Sequence, residues 1–549
     1  MRKVICISLL LLVTTVIMAV PVRRGLWSTI TLSDGSRVRV ELRGDEHLHY
    51  LQATDGTRYV KNHGVYERVD AATLQARRAK RMSSRRVIYA STADGLGKYG
   101  QMSMGALPCI GEYTIPVVMV QFSDMEFQNT TTVEKMTRYY NEEGYSDEKG
   151  CPGSVRDYFK AQSGGMFVPT FDVVGIVTLE KSYKYYGEHD ENNEDYVDKR
   201  IDELSGDVIN ATVSQLGVDF SKYVVPAGDE NHSEGVPLLA MFYAGPGEAT
   251  EPIETGADYL WPCEWDAIED PIAQGDYAGV HFNSFFVGNE LNYDRTLMGI
   301  GVFCHETGHA LGLPDFYNTD YSYADDDAFG LWSIMDSGGF VNDGRAPMGY
   351  TAYEKSYMGW LELKEIGDAK EVTLQSPIGS AENSAYIIRS SDTETFIFEN
   401  RQPSTWYPKF LGSGIMVSRF AYDKDQWAIN TLNNIQAQKR ALILTANNVT
   451  LSYDTNVSKK NLYGNGVDNI QSLKKLSGDN QAVNISNIVK NDDGTITLTI
   501  DQTTGISTTH NNSEPSAMFY TIQGCCVGNN YQQLSRGLYI VNSKKVVKR

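Results

Sequence analysis

The chain has 549 residues, 41% apolar and 11% aromatic, with a formal net charge of −20. Such a composition excludes a disordered protein, and the length is too great for one ordinary domain, suggesting roughly three or four. The acidic balance argues against nucleic acid as a partner, since its phosphates would be repelled.

Arg2 and Lys3 precede an almost wholly apolar run, Val4 to Ile17, and small Ala19 offers a cleavage point just before Pro21. This is the pattern of a signal peptide over residues 1–20; the run is short for an anchor helix and lacks a stop-transfer flank. No later run is long and apolar enough to span a bilayer, so no mature transmembrane segment is expected, and the protein should be secreted or held at the cell surface. Loss of Cys6 leaves Cys109, Cys151, Cys263, Cys304, Cys525 and Cys526. An even number in an exported chain permits disulfides without fixing their pairing.

Residues 21–105 begin with β structure. Ser28–Leu32, the turn Ser33-Asp34-Gly35-Ser36 and the alternating Arg37–Leu42 read as a hairpin, which His47–Tyr50 and Tyr59–Val60 continue. Asp70 to Arg86 reads as helix and is strongly basic. From Val22 to Arg86 there are 14 Lys/Arg against 7 Asp/Glu, so a basic leader precedes an acidic body that attracts it.

A larger domain is expected over residues 106–360. Ile115–Phe122 is a β-branched buried strand, Thr131–Asn141 an amphipathic helix, and Ser154–Ala161 begins another; Phe167–Leu179 returns to strand. Asn193–Leu216 reads as a long helix with a polar face. Leu238–Tyr243 is a strand running into Ala-Gly-Pro-Gly. Strands alternating with helices imply a mixed α/β upper half.

Next comes Cys304-His305-Glu306-Thr307-Gly308-His309, followed by Gly312, Pro314 and Asp315. Two histidines four apart on a helix lie on one face, so both rings can reach one ion, and Glu306 beside the first can act as a base. Gly312 permits a sharp turn, Pro314 stops the helix, and Asp315 arrives as a third candidate ligand. Three protein ligands with an open position suit a catalytic zinc. Cys304 points about 100° away from His305 on a helix, which favours a buried core cysteine or a disulfide partner over a fourth ligand. Glu354, in a helix read over Ala346–Gly359, is the minority choice for third ligand. The loop Asp320–Asp327 contains three consecutive carboxylates. It is either solvated or a structural calcium site, although the EF-hand spacing is absent.

The pattern H-E-x-x-H-x-x-G-x-x-D resembles the metzincin clan of zinc peptidases, and Gly330-Leu-Trp-Ser-Ile-Met335-Asp-Ser-Gly338 looks like that clan's Met-turn, a methionine floor beneath the metal. Several members place Tyr two residues after that Met, where this chain has Ser337. Within the clan, Pro116–Asp124, Gly153–Phe159 with Gln162-Ser163, Tyr243–Ala249, His305–Tyr317 and Phe398-Glu-Asn-Arg-Gln402 are similar to the immune-inhibitor-A-like (M6) metallopeptidases of bacteria. The resemblance runs from about Trp27 to Ile500. It implies a multidomain α+β protein with a metzincin-like domain, binding zinc through His305, His309 and Asp315. Glu306 is then the general base in the hydrolysis of protein or peptide substrates. The strand Leu238–Tyr243 then becomes the candidate cleft-rim strand for pairing with substrate backbone. Residues 21–105 become a pro-domain and intramolecular inhibitor, cleaved in the basic run or in Ala90–Gly105. It has no cysteine, so a thiolate cannot cap the metal; an Asp, Glu or His, or occlusion, would have to serve. A catalytically silent surface binding protein on the same scaffold is the alternative.

Residues 361–502 change to short strands and turns, an accessory β-sandwich. Residues 503–518 are a Ser/Thr/Asn-rich linker. Residues 519–549 form a short β module ending in a basic strand. The module resembles the C-terminal sorting signals of Bacteroidetes type IX secretion cargo, which implies that machinery as a partner; a small stabilising appendage is the alternative.

Overall fold

The computed structural model describes residues 17–18, 21–45, 48–62, 64–79, 92–101, 105–147, 149–189, 198–227, 234–252, 258–266, 279–321, 323, 327–367, 370–452, 456–500, 519–521, 526–528, 537–541 and 544–548. They fall into two compact units, Met1–Ile500 and Asp501–Arg549. The architecture of the first is multidomain α+β, with four sheets and short helices between them. Among the described residues no helix is long and apolar enough to cross a membrane.

The catalytic candidate region is built on a six-stranded mixed sheet. Its order is Ile17–Met18, Cys263–Asp266, Ser284–Leu291, Leu239–Pro246, Thr114–Gln121, Thr170–Thr178. The last four run parallel, and the first two are antiparallel additions. Parallel strands buried on both faces read as continuous apolar runs, and Thr114–Gln121 is such a run. Ile115, Val117 and Met119 enter one core with the helices Val133–Asn141 and Val155–Gln162, whereas Val118, Val120 and Phe122 enter the other. Both helices start on side-chain caps: Thr132 accepts from Lys135 N, and Ser154 forms a capping box with Asp157.

One sequence expectation is corrected here. Leu239–Pro246 is not at the rim of a cleft: it lies between Thr114–Gln121 and Ser284–Leu291, with all eight residues buried. Both edges already carry a parallel neighbour, so it has no free ladder to offer a substrate. The helix expected over Asn193–Leu216 is present as Ile201–Ala211 with a looser turn, Thr212–Leu216; positions 193–197 lie outside the described residues.

The leader is a five-stranded antiparallel meander from Trp27–Thr31 to Val65–Val69, followed by the helix Ala71–Ala79. It covers the second face of the central sheet. Val22, Val40, Leu42, Leu51 and Ala53 share a core with Val118, Val120, Tyr183 and Leu204. Arg23 N donates to Ala249 O at 2.9 Å, and the Arg23 guanidinium pairs with Asp343 at 2.6 Å. The basic run at 80–91 lies outside the described residues.

After the helix Ala352–Tyr357 come two β-sheets. One has five strands, with Glu394–Arg401 and Gly414–Ala421 at its centre; the other has four, with Asn480–Lys490 and Ile496–Ile500 at its centre. Phe396, Phe398, Ile415 and Val417 of the first meet Leu374, Ile485 and Leu498 of the second, a sandwich core. The opposite face of the first sheet, through Ile387, Ile397, Met416 and Phe420, continues the core of the zinc-motif helix. The run Phe398–Gln402 is a joint. Arg401 pairs with Glu399 at 2.7 Å and donates to Trp332 O at 3.0 Å, while Glu399 accepts from Ala352 N at 3.1 Å. Asn400 donates to Gln375 O and Gly494 O across the sandwich.

The second unit is described by itself. It is a four-stranded antiparallel sheet of Cys526–Gly528, Phe519–Thr521, Gly537–Val541 and Lys544–Lys548, in that order.

Candidate metal centre

The helix Gly301–Ala310 carries His305, Glu306 and His309 and is buried along its whole length. Glycines let it approach its floor. A Cβ on Gly308 would stand 2.7 Å from Met335 Sδ, and one on Gly301 would strike Gly339 O. Gly312, at φ +100°, turns the chain after the helix, and Gly312 N donates to His309 O at 2.7 Å.

The two rings are oriented from behind. His305 Nδ1 donates to Ile334 O at 2.7 Å, and His309 Nδ1 donates to Leu313 O at 2.8 Å. A carbonyl can only accept, so each proton sits on Nδ1 and each Nε2 presents its lone pair inward. Inward, the two Nε2 atoms are 3.0 Å apart, and Asp315 Oδ1 lies 3.1 Å from one and 3.3 Å from the other. Three electron-pair donors at that spacing require a cation among them. Tetrahedral zinc with bonds of ~2.05 Å has ligand–ligand edges of about 3.3 Å, so the donor set fits a zinc ion. His305, His309 and Asp315 are all 3% exposed or less. Burial alone would push the Asp315 carboxyl up; positive charge at His309 and His305, whether a proton or a bound cation, outweighs it and holds it well below the usual carboxylate range.

Asp315 has a partner that spacing could not reveal. Asn430 Nδ2 donates to Asp315 Oδ2 at 2.6 Å, and its Oδ1 accepts from Asp315 N at 2.8 Å. Trp427 Nε1 donates to Gly312 O at 3.1 Å, Asn433 Nδ2 donates to Phe316 O at 2.7 Å, and Asn434 accepts from Thr319 N at 3.0 Å. One loop of the sandwich thus grips the whole stretch from Gly312 to Thr319.

The remaining sequence candidates sit elsewhere. Glu354 caps its own helix, accepting from Thr351 N, and takes a hydrogen bond from Ser333 Oγ at 3.2 Å; burial pushes its carboxyl up to about 7. Cys304 is a buried free thiol in the core, raised well above its ordinary value by desolvation; Cys109 and Cys151 are likewise free and buried, and Cys263 is buried. Ser337 donates to Asp336. In the acidic loop, positions 322 and 324–326 lie outside the described residues, and among the described ones no metal-competent cluster includes Asp320 or Asp327. A second cluster the sequence reading did not single out, His49 with His189 and Glu248, is also buried.

A cavity that none of the four site residues lines is walled on one side by Tyr317, Tyr321 and Ser337. Arg43, Gly44 and Tyr50 of the leader form the other wall. Tyr321 Oη donates to Asp45 Oδ2 at 3.3 Å, fastening the two walls together.

Residues 114–367 match the family model described as "Immune inhibitor A peptidase M6, catalytic domain". Over 267 residues, 44% of this chain, the protein is 25% identical to the pre-pro-metalloprotease PrtV of Vibrio cholerae serotype O1. Over 261 residues, 43% of the chain, it is 26% identical to Immune inhibitor A of Bacillus thuringiensis subsp. alesti. These matches span 29% and 37% of the relatives' own lengths. The matched segment is similar to the catalytic domain of the immune-inhibitor-A-like M6 metallopeptidases.

Proposed function

We propose that this chain is an exported zinc endopeptidase, made as a zymogen, that hydrolyses peptide bonds in protein substrates. The observation that carries the reading is the convergence of His305 Nε2, His309 Nε2 and Asp315 Oδ1 next to Glu306 on one helix of the M6-like segment. Zinc, when bound there, supplies a Lewis acid that polarises the scissile carbonyl and lowers the pKa of water towards ~7. The chain's residues do the rest. Ile334 O and Leu313 O lock the two imidazoles with their lone pairs inward, and Asn430 fixes the carboxylate. Glu306 takes the proton of the attacking water and returns it to the leaving amine, so no Ser or Cys nucleophile is required.

The leader supports the zymogen reading. Its strands pack on the sheet that carries the centre, Tyr321 is tied to Asp45, and all four site residues are nearly inaccessible. We assign inhibition to occlusion by residues 21–105, the catalytic part to 106–360 and the sandwich to 361–502. Asp94, Gly95 and Leu96 are buried, and Asp94 pairs with Arg389, whereas Lys98 to Gln101 are exposed. We assign maturation to the basic run or to that exposed stretch. The 519–549 module is assigned as a sorting signal for type IX export.

The test is zinc content and casein digestion for the full-length and matured protein beside Glu306→Ala. One ion at this centre, casein cleavage by the mature form and none by Glu306→Ala is the expected result. Zinc bound without cleavage by mature wild type would hand the site to a silent binding protein.

A further inference from the structure

We propose that His49, His189 and Glu248 form a second metal site that takes a zinc-type divalent ion and ties the leader sheet to the catalytic sheet. His49 lies on the leader strand Leu48–Ala53, Glu248 in the turn Glu248–Thr250 after the central strand, and His189 forms an isolated β-bridge with Asp198. All are withdrawn from water: His49 is 2% exposed, His189 4% and Glu248 0%.

The spacing is that of a coordination shell. His189 Nε2 lies 2.9 Å from Glu248 Oε2, His49 Nε2 lies 3.6 Å from Glu248 Oε1, and Asp198 Oδ1 lies 3.8 Å from His189 Nε2. These bracket the edge of about 3.3 Å expected around zinc. The outer contacts repeat those of the first centre. Asp45 O faces His49 Nδ1 at 3.3 Å, which directs the Nε2 lone pair at Glu248. Trp261 stacks on the His49 ring at 4.8 Å and 16°, fixing its plane, and Trp261 N donates to Asp198 Oδ2 at 2.8 Å, fixing the carboxylate. Two imidazoles and a carboxylate suit zinc and its first-row neighbours. Calcium and magnesium prefer oxygen-only shells, and copper(I) prefers thiolates.

Because one ligand belongs to the leader and the others to the body, the ion stabilises the docked leader and the shell is incomplete once the leader is removed. That consequence rests on the zymogen reading; the site itself does not.

The experiment uses the full chain carrying His305→Ala and His309→Ala, which removes the first centre and any self-cleavage. Stripped of metal and titrated with Zn²⁺, it should retain one ion per chain and melt at a higher temperature with zinc than without. Adding His49→Ala should abolish both effects. Co²⁺ in place of zinc should give the absorption bands of a low-symmetry imidazole–carboxylate centre, which decides the matter should His49→Ala misfold. Absence of retained metal, or an aqueous cobalt spectrum, overturns the proposal and leaves the cluster held by a proton between His189 and Glu248. Retention unaffected by a folded His49→Ala overturns it as well. Casein digestion by the wild type is scored separately, so failure of the peptidase reading leaves this result readable.

Discussion

Among its described residues the molecule buries two histidine–carboxylate clusters, assembled in opposite ways. His305, His309 and Asp315 come from eleven consecutive residues, and their ligand atoms stand 3.0 to 3.3 Å apart. His49, His189 and Glu248 come from three distant segments, with separations from 2.9 to 3.6 Å. A cluster folded from one helix and its exit turn is set by local geometry. The other exists only while two sheets are docked. Tightness therefore follows from how much chain must be positioned, and the looser cluster is the one able to respond to removal of the leader.

The first way to sharpen this contrast is Glu306→Gln, which touches the chemistry of the local cluster without touching its ligands. Proteolysis should fall by about 10²–10⁴ or more, with zinc content at that centre unchanged by elemental analysis. Loss of zinc along with activity would mean that Glu306 holds the site together rather than moving a proton.

A second variant asks whether the local cluster is as self-sufficient as its sequence suggests. Asn430 sits at φ +55°, so Asn430→Gly removes its side chain without straining the backbone. Asp315 then loses a partner to both its carboxylate and its N–H, and zinc affinity, read by competition with a chelator, should weaken by about 10–100-fold. An unchanged affinity would restore the local picture.

Glu354 supplies the contrasting case of a buried carboxylate in which desolvation wins. Asp315 is held low by positive charge at the imidazoles, whereas Glu354 is pushed up to about 7 by burial. Its unfolded value is near 4.5. Between those values the unfolded chain ionises while the folded chain keeps its proton, so this group's contribution to stability falls as pH rises and is level above about 7. Glu354→Gln removes that dependence, and the Ser333 hydroxyl can turn to suit the amide. The variant's stability relative to wild type should climb by up to about 3 kcal/mol across that window, measured by denaturation at matched pH. A flat difference would show that Glu354 is ionised in the fold throughout.

The smallest effect is expected at the floor. Met335→Leu preserves volume against Gly308, so stability should change by less than about 1.5 kcal/mol and zinc content not at all. Loss of zinc would make the sulfur more than a floor.

What the sequence made legible follows the same division. H-E-x-x-H with Gly312 and Asp315 could be read because helical periodicity and one turn bring those residues together. Asn430 could not, since it is 115 residues away and an asparagine in a loop carries no spacing signal. His49 read as one polar position on a strand, and only docking against Glu248 gives it neighbours. The misplaced strand is instructive too. Leu239–Pro246 has no polar face, and an unbroken apolar run is the mark of an interior parallel strand, not an edge. The run Phe398–Gln402 was recognisable as wording, but its role as a joint depends on Trp332 and Ala352, which its own spacing cannot supply.

The asparagine loop also sets an order of events on the ribosome. His305, Glu306 and Asp315 are synthesised well before Asn430, and at about 5–20 residues per second the intervening 115 residues take roughly ten seconds. During that interval the emerging chain has its two histidines but nothing to anchor the carboxylate between them. The support for Asp315 is completed only when the sandwich follows it out, so a nascent or truncated chain holds its metal less firmly than the finished one.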